Sequence, residues 1–394
     1  MRKTGIFIIS FFLYSLSAYA CTGFYITRGN KIYAGNNEDS HNPRTKMWIM
    51  PGENGSYGRI FFGYDDYNPQ GGINEKGLFF DGFATEPKKV LKSLGKPHYD
   101  KIYDNFQNEI LSTCATVDEV IAFVRHYNLN FLENAMFFFG DAKGESIIIE
   151  GDSILRKKGD FQIVTNFYQS QTTNITCDRY KTVYRMLTNA ENVSSIDRCR
   201  DILNATHADN ATLYSQVYDI KDLIIYIYNF HNFNDCVKID LKDALKRGKQ
   251  YYDLPSLFPK SHTFESFEKR YNEKYGYDLG KVNLKDVDKI DLNKRLGNYF
   301  IKSFVGPNNK TFPVDSRHFL SLSTNNDKIV YTELYGRGFR CILGPEDHKR
   351  FAYKSDFGQL ILTFSDKNIT EFKCEIVLSN NDKYYWICRK VAGS

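Results

Sequence analysis

CTGFYITRGNKIYAGNNED, residues 21–39, reads as two short β-strands, Cys21–Arg28 and Lys31–Asn36, joined across Gly29-Asn30. A Gly-Asn pair between two β-prone runs is a compact hairpin signal, because glycine tolerates the left-handed backbone of a tight turn. The hairpin is expected to bring Asn36–Asp39 back beside Cys21. What precedes it gives the cysteine its meaning. Residues 1–20 have the form of a secretory leader: Arg2 and Lys3, an apolar run from Ile6 to Leu16, then Ala18-Tyr19-Ala20. Cleavage after Ala20 would make Cys21 the first residue, with a thiol and a free α-amine on one residue. Such an amine titrates near pH 8 and serves as the base for its own thiol. Two other readings stay open on the junction alone, a structural thiol and a lipid-modified cysteine. Ala18 and Tyr19 suit ordinary signal cleavage better than a lipoprotein signal.

Composition narrows the function classes. The chain has 394 residues, which suggests one large domain and a smaller one. Its 28 Tyr and 31 Phe supply a strand-rich core. The formal charge of +5 is spread among mixed charges with no long basic block, so nucleic acid is not indicated as a partner. No apolar run after the leader reaches the length of a membrane span. The eight histidines show no metal-ligand spacing, and no metal or cofactor is expected. The cysteines after Cys21 are dispersed and lack CxxC pairs, so disulfide pairing is open, with Cys374 and Cys388 on neighbouring expected strands.

The remaining pattern alternates strands and helices. His41–Gly55, with Pro43, Pro51 and Gly52, reads as loop, and Tyr57–Tyr64 and Gly77–Ala84 as strands. Segments 41–55 and 66–73 are expected to be pocket-lining loops. Helices are expected over Tyr99–Thr113, Val117–Tyr127, Asp178–Leu187 and Ile196–Leu203, with Thr116 and Glu119 forming a capping box for the second. Ala135–Gly140 and Glu145–Glu150 form a hairpin, and Phe161–Asn166, Leu213–Tyr218, Leu223–Phe230 and Val237–Leu241 are strands. The expected organisation is a leader at 1–20, a layered α+β domain at 21–255, a connecting segment at 256–296 and a β-rich accessory domain at 297–394. Trp386, Tyr384 and Tyr385 in that last unit read as core before they read as a binding patch.

A thiol nucleophile acting on an amide needs a base, a carboxylate to hold that base, and donors for the developing oxyanion. Asp39, at the end of the returning strand, is placed to hold the α-amine of Cys21. Here the chain resembles the choloylglycine hydrolase and penicillin V acylase group of N-terminal-nucleophile amidohydrolases, which includes acyltransferase-like and acid ceramidase-like branches. The segments that carry the resemblance are CTGFYI at 21–26, GNNED at 35–39, NEKGLFFDGFA at 74–84, GESIIIEGD at 144–152, VTNF at 164–167 and CDRYKTVYRML at 177–187. They occur in the family's order over about 21–255.

The resemblance implies an α/β/β/α sandwich of two stacked sheets. It implies Cys21 as nucleophile, Asp39 as the carboxylate tuning the amine, Asn166 as a side-chain oxyanion donor and backbone near Gly82–Ala84 as a second donor. Arg179 matches the family's active-site arginine, expected to lower the thiol pKa and steady the carboxylate. Where many members carry an arginine this chain has Asn36, which weakens any specific claim to bile-salt or penicillin V activity. The implied activity is hydrolysis of a non-peptide amide of a small N-acyl compound through an S-acyl enzyme. An acyltransferase using the same intermediate, a binding protein that retains only the pocket, and a peptidase are the alternatives. Oligomeric state is open, a homo-oligomer included.

Overall fold

The computed structural model describes residues 21–275 and 295–391, apart from short internal stretches such as 91–94, 101–105, 190–194 and 313–318. The leader lies outside the described residues. The chain begins β1 (Thr22–Arg28), β2 (Lys31–Asp39), β3 (Thr45–Met50), β4 (Arg59–Tyr64), β5 (Pro69–Asn74) and β6 (Phe79–Ala84). Helices α1 (Phe106–Thr113) and α2 (Val117–His126) follow, then β7 (Ala135–Gly140), β8 (Ser146–Glu150), β9 (Ser153–Arg156) and β10 (Phe161–Thr165). Next come α3 (Asp178–Thr188), α4 (Ile196–Thr206), β11 (Thr212–Asp219), β12 (Ile224–Asn229) and β13 (Asn232–Asp240). Short α5 (Leu241–Lys246), β14 (Gln250–Asp253) and α6 (His262–Tyr275) complete this half.

Two antiparallel sheets form, ordered β10-β1-β2-β11-β12-β13 and β14-β3-β4-β5-β6-β7-β8-β9. Strand alternation sorts the side chains into three layers. From β1, Tyr25 points between the sheets, where it joins Phe62, Phe79, Phe83, Tyr214 and Tyr218. Phe24 and Ile26 point outward and pack with Val183, Leu187, Ile202 and Leu203 of α3 and α4. On the other sheet Phe61 and Phe80 face outward onto Ile110, Val117, Val120 and Ile121 of α1 and α2. The result is helix, sheet, sheet, helix, the α/β/β/α sandwich expected. Truncating one of the fully buried inter-sheet phenylalanines to Ala costs ~3–5 kcal/mol in such a core.

The β1–β2 hairpin turns at Gly29, whose φ of 56° lies in the left-handed region. Its register pairs Arg28 with Lys31 and Thr22 with Asn37. Gly35 is required by close approach, since a Cβ there would sit 2.4 Å from the Phe24 ring. The capping box at α2 forms as read: the Thr116 hydroxyl accepts from the Glu119 N–H and the Glu119 carboxylate accepts from the Thr116 N–H.

Several expectations need correction. Residues 41–55 are not all loop, because Thr45–Met50 forms β3, with Pro43, Pro51 and Gly52 bracketing the apolar run Met47-Trp48-Ile49. Segment 66–73 likewise contributes Pro69–Ile73 to β5, where Gly71 and Gly72 admit the neighbouring strands closely. Helix α1 is described over Phe106–Thr113, and Tyr99 is not helical. Residues 256–296 include α6, whose Phe264 and Phe267 pack on the inter-sheet core.

The C-terminal part is antiparallel throughout: β15 (Gly297–Val305), β16 (Thr311–Phe312), β17 (Phe319–Asn325), β18 (Ile329–Leu334), β19 (Phe339–Pro345), β20 (Arg350–Ser355), β21 (Gly358–Phe364), β22 (Glu371–Leu378) and β23 (Lys383–Lys390). Strand β15 pairs with both β17 and β23, which closes the strands from β15 to β23 into an up-and-down barrel with β16 appended to β15. Closure removes the free edges of the sheet. The interior is filled, by Tyr299, Leu343, Leu362, Phe364, Phe372 and Trp386 among others. Cys374 opposes Trp386 while Cys388 opposes Phe372, and no disulfide joins the two cysteines.

Candidate active site

The site forms where β1 starts and β2 ends. Their pairing returns Asp39 to Cys21, and the Asp39 N–H donates to Cys21 Sγ at 3.5 Å. The thiol faces the inter-sheet space and is 4% exposed. Burial first, then the charges of Glu38 and Asp39, push it well above the ordinary thiol value. The expected lowering of the thiol by Arg179 is therefore not what the structure shows.

Asp39 is buried at the bulge in the β2–β11 pairing. Its Oδ1 accepts from the Thr212 hydroxyl, and its Oδ2 has no hydrogen-bond partner among the described residues. Burial raises the carboxyl to about 7, against the opposing pull of the Thr212 hydrogen bond and the charges of Arg179 and His207. An acceptor oxygen with no partner, on the residue whose backbone meets the Cys21 thiol, suits a cationic amine.

Arg179 lies in the first turn of α3, which packs on β10 and β1. Its Nη1 donates to the Cys21 carbonyl and to Thr22 Oγ1 at 2.9 Å, and its Nη2 donates to Asn166 Oδ1 at 3.4 Å. The guanidinium thus fastens the first two residues of β1 and orients Asn166, while its charge reaches Asp39. Asn166, just beyond β10, donates from Nδ2 to the Ala84 carbonyl at 2.9 Å. A primary amide carries two N–H groups, so one such bond leaves the other for an oxyanion. The structure brings Cys21, Asp39, Asn166, Arg179 and Ala84 together at one end of the sandwich.

Asn36 is buried farther along β2, and its Nδ2 donates to Asp81 Oδ1 at 3.4 Å. It is directed between the sheets rather than toward Asp39. Sequence reasoning passed over Asp81, Glu38, Thr212 and Tyr64, which the structure places around these residues. Tyr64 donates to Glu38 Oε1 at 3.0 Å, and both carboxyls of Glu38 and Asp81 are raised, chiefly by burial. The signal was present: Asp81 falls on the inward phase of Phe79-x-Asp81-x-Phe83, and Glu38 on the inward phase of Ala34-x-Asn36-x-Glu38. A charged residue on the buried phase of a strand needs a reason.

No protein-family model matches this sequence. Solved structures similar to it include a conjugated bile acid hydrolase from Clostridium perfringens, at 18% identity and TM-score 0.45, covering 59% of this chain and 96% of that one. Penicillin V acylase from Agrobacterium tumefaciens is similar at 18% identity and TM-score 0.43, covering 59% of this chain and 91% of its own. An N-acylethanolamine-hydrolyzing acid amidase ortholog from Caenorhabditis elegans is similar at 16% identity and TM-score 0.39, covering 51% and 93%. Among the described residues no helix is long and apolar enough to cross a membrane, and no group of three His, Cys, Asp or Glu is arranged to hold a metal ion.

Proposed function

We propose that this protein is a secreted or periplasmic amidohydrolase whose nucleophile is Cys21, freed as the first residue by cleavage after Ala20. The observation that carries the reading is the convergence of Asp39, Arg179 and Asn166 on the start of β1. With Cys21 terminal, its α-amine takes the thiol proton, and the thiolate attacks the amide carbonyl of a small N-acyl substrate. The C=O π pair moves to oxygen, where the second N–H of Asn166 meets it. Collapse breaks the C–N bond, and the leaving amine takes the proton held on the α-ammonium. Water then gives a proton to the Cys21 α-amine as it attacks the thioester; collapse breaks the C–S bond, the expelled thiolate takes that proton back from the α-ammonium, and a carboxylic acid leaves. Asp39 holds the amine in place through its open Oδ2. Burial disfavours the thiolate, so the proton transfer is coupled to attack rather than completed beforehand.

The test is turnover of a panel of N-acyl amides by purified processed protein, with acid and amine products quantified. Release of acid that is lost in Cys21→Ala supports the reading; equal turnover by wild type and Cys21→Ala would sink it. Cys21→Ser should retain little activity, because a serine hydroxyl is far less ionised. Adding an acceptor amine distinguishes hydrolysis from acyl transfer, which shares the thioester: transfer yields a new amide in place of free acid.

A further inference from the structure

The inter-sheet space next to Cys21 holds more polar groups than the thiol chemistry uses. Strand β2 directs Asn36 and Glu38 into it and β11 directs Tyr214 and Gln216, with Asn36 opposite Gln216 and Glu38 opposite Tyr214. The facing sheet adds Asp81 from β6 and Tyr64 from β4. These side chains lie in a nearly sealed interior: Asn36 is 1% exposed, Glu38 3%, and Asp81, Tyr214 and Gln216 0%. Two glycines flank the Asp81 carboxyl. A Cβ on Gly23 would come within 3.6 Å of Asp81 Oδ2, and one on Gly71 within 3.1 Å of Oδ1.

The hydrogen-bond inventory of this chamber is lopsided. Among the described residues, Asn36 Oδ1, Glu38 Oε2, Asp81 Oδ2, the Tyr214 hydroxyl and Gln216 Nε2 all lack a partner. The amide oxygen accepts, a phenol does either, and only the Gln216 nitrogen must donate; burial keeps Glu38 and Asp81 protonated until a cation beside them draws the protons off, after which their oxygens only accept. Buried polar atoms left unpaired are costly, and a set dominated by acceptors is completed by a donor-rich group. A primary ammonium brings three N–H donors and a positive charge to two carboxyls. Resting on the hydrolase reading above, we infer that the acyl part of the substrate carries a primary ammonium close to the scissile carbonyl, and that Glu38, Asp81 and Asn36 receive it. The acyl part is the one that stays bonded to Cys21 while the amine departs, so it is the part that stays beside these side chains. Glu38 and Asp81 are then specificity-determining residues.

A matched pair of chromogenic amides tests this on full-length processed protein: 3-aminopropionyl-4-nitroanilide and its neutral isostere butyryl-4-nitroanilide. The ammonium compound should be preferred in kcat/KM by ~10-fold or more, and the preference should fall to within ~3-fold in Asp81→Asn and in Glu38→Gln. Both substitutions are near-isosteric, and melting curves check that the variants fold. Equal turnover of the pair, or a preference that neither variant changes, overturns the inference and leaves the hydrolase reading standing; a chamber that holds only water gives that result. Calorimetry of both compounds with Cys21→Ala reads recognition apart from turnover. Binding of the ammonium compound alone, with no turnover by wild type, supports the chamber and sinks the hydrolase reading. Binding of neither, with turnover of neither, overturns both.

Discussion

Asp39 decides over what pH range Cys21 can work. Its carboxyl must be ionised to hold a protonated amine, and burial raises it to about 7. Below that it is protonated, so activity should fall as pH drops, with an acid limb in kcat/KM whose midpoint lies at about 7 or lower. It lies lower to the extent that the cationic amine pulls the carboxyl down. A pH–rate profile checks this, and Asp39→Asn should lose both the limb and most of the rate. Cys21 and Asp39 were legible in the sequence because a leader junction and a short hairpin tie them together locally. Glu38 and Asp81 were not, because their meaning depends on which two sheets face each other. Only strand alternation hinted at it.

Strands and helices place donors that no single segment contains. Asn166 leaves the end of β10, is oriented from α3 by Arg179, and reaches Ala84 at the end of β6. Asn166→Ala should lower kcat by ~10²–10³ with little change in KM, as loss of one oxyanion donor does; a comparable rise in KM instead would mark it as a substrate-binding group. Glu38 on β2 makes a stability prediction. Its folded-state pKa is raised to about 8, chiefly by burial, above an unfolded value near 4.3. The folded state therefore binds the extra proton between those values, and stability falls as pH rises through that window. Glu38→Gln, neutral at every pH, should raise the melting temperature relative to wild type at pH 8 by ~2–4 °C or more, and the gain should shrink toward pH 5. Elements with strong periodicity, such as α2–α4, were readable from the chain. Strands β3, β5 and β14 were hidden by nearby proline and glycine or by their shortness, and take shape through pairing.

At the scale of the molecule, the barrel grips the segment that leaves the active site. Five residues after Asp39, Arg44 donates to Asp65 Oδ2 at 3.4 Å, to the Lys354 carbonyl of β20 at 3.3 Å and to Asn272 of α6 at 3.1 Å. The Tyr353 hydroxyl of β20 donates to Asp65 Oδ1 at 2.6 Å, where Asn42 also donates at 3.1 Å. Buried charge-assisted bonds of this kind hold geometry as much as they add stability. Tyr353→Phe should cost ~1–3 kcal/mol and speed amide hydrogen exchange over residues 40–50; unchanged exchange there would show that the barrel does not steady the segment. The closed barrel itself was not legible, because closure rests on the pairing of β15 with β23, from Tyr299 with Lys390 to Val305 with Tyr385, a long-range contact that no local pattern records.

The nucleophile reading stands or falls on the state of Cys21 in protein recovered from secreting cells. The measurement is mass mapping of its N-terminal tryptic peptide before and after exposure to an amide substrate that the protein turns over. The account predicts a peptide spanning residues 21–28, with a free α-amine and an unmodified thiol, that gains the mass of the acyl group during turnover. A peptide that extends N-terminal to Cys21, a lipid on the cysteine, or turnover with no acyl adduct even after rapid acid quenching would contradict it.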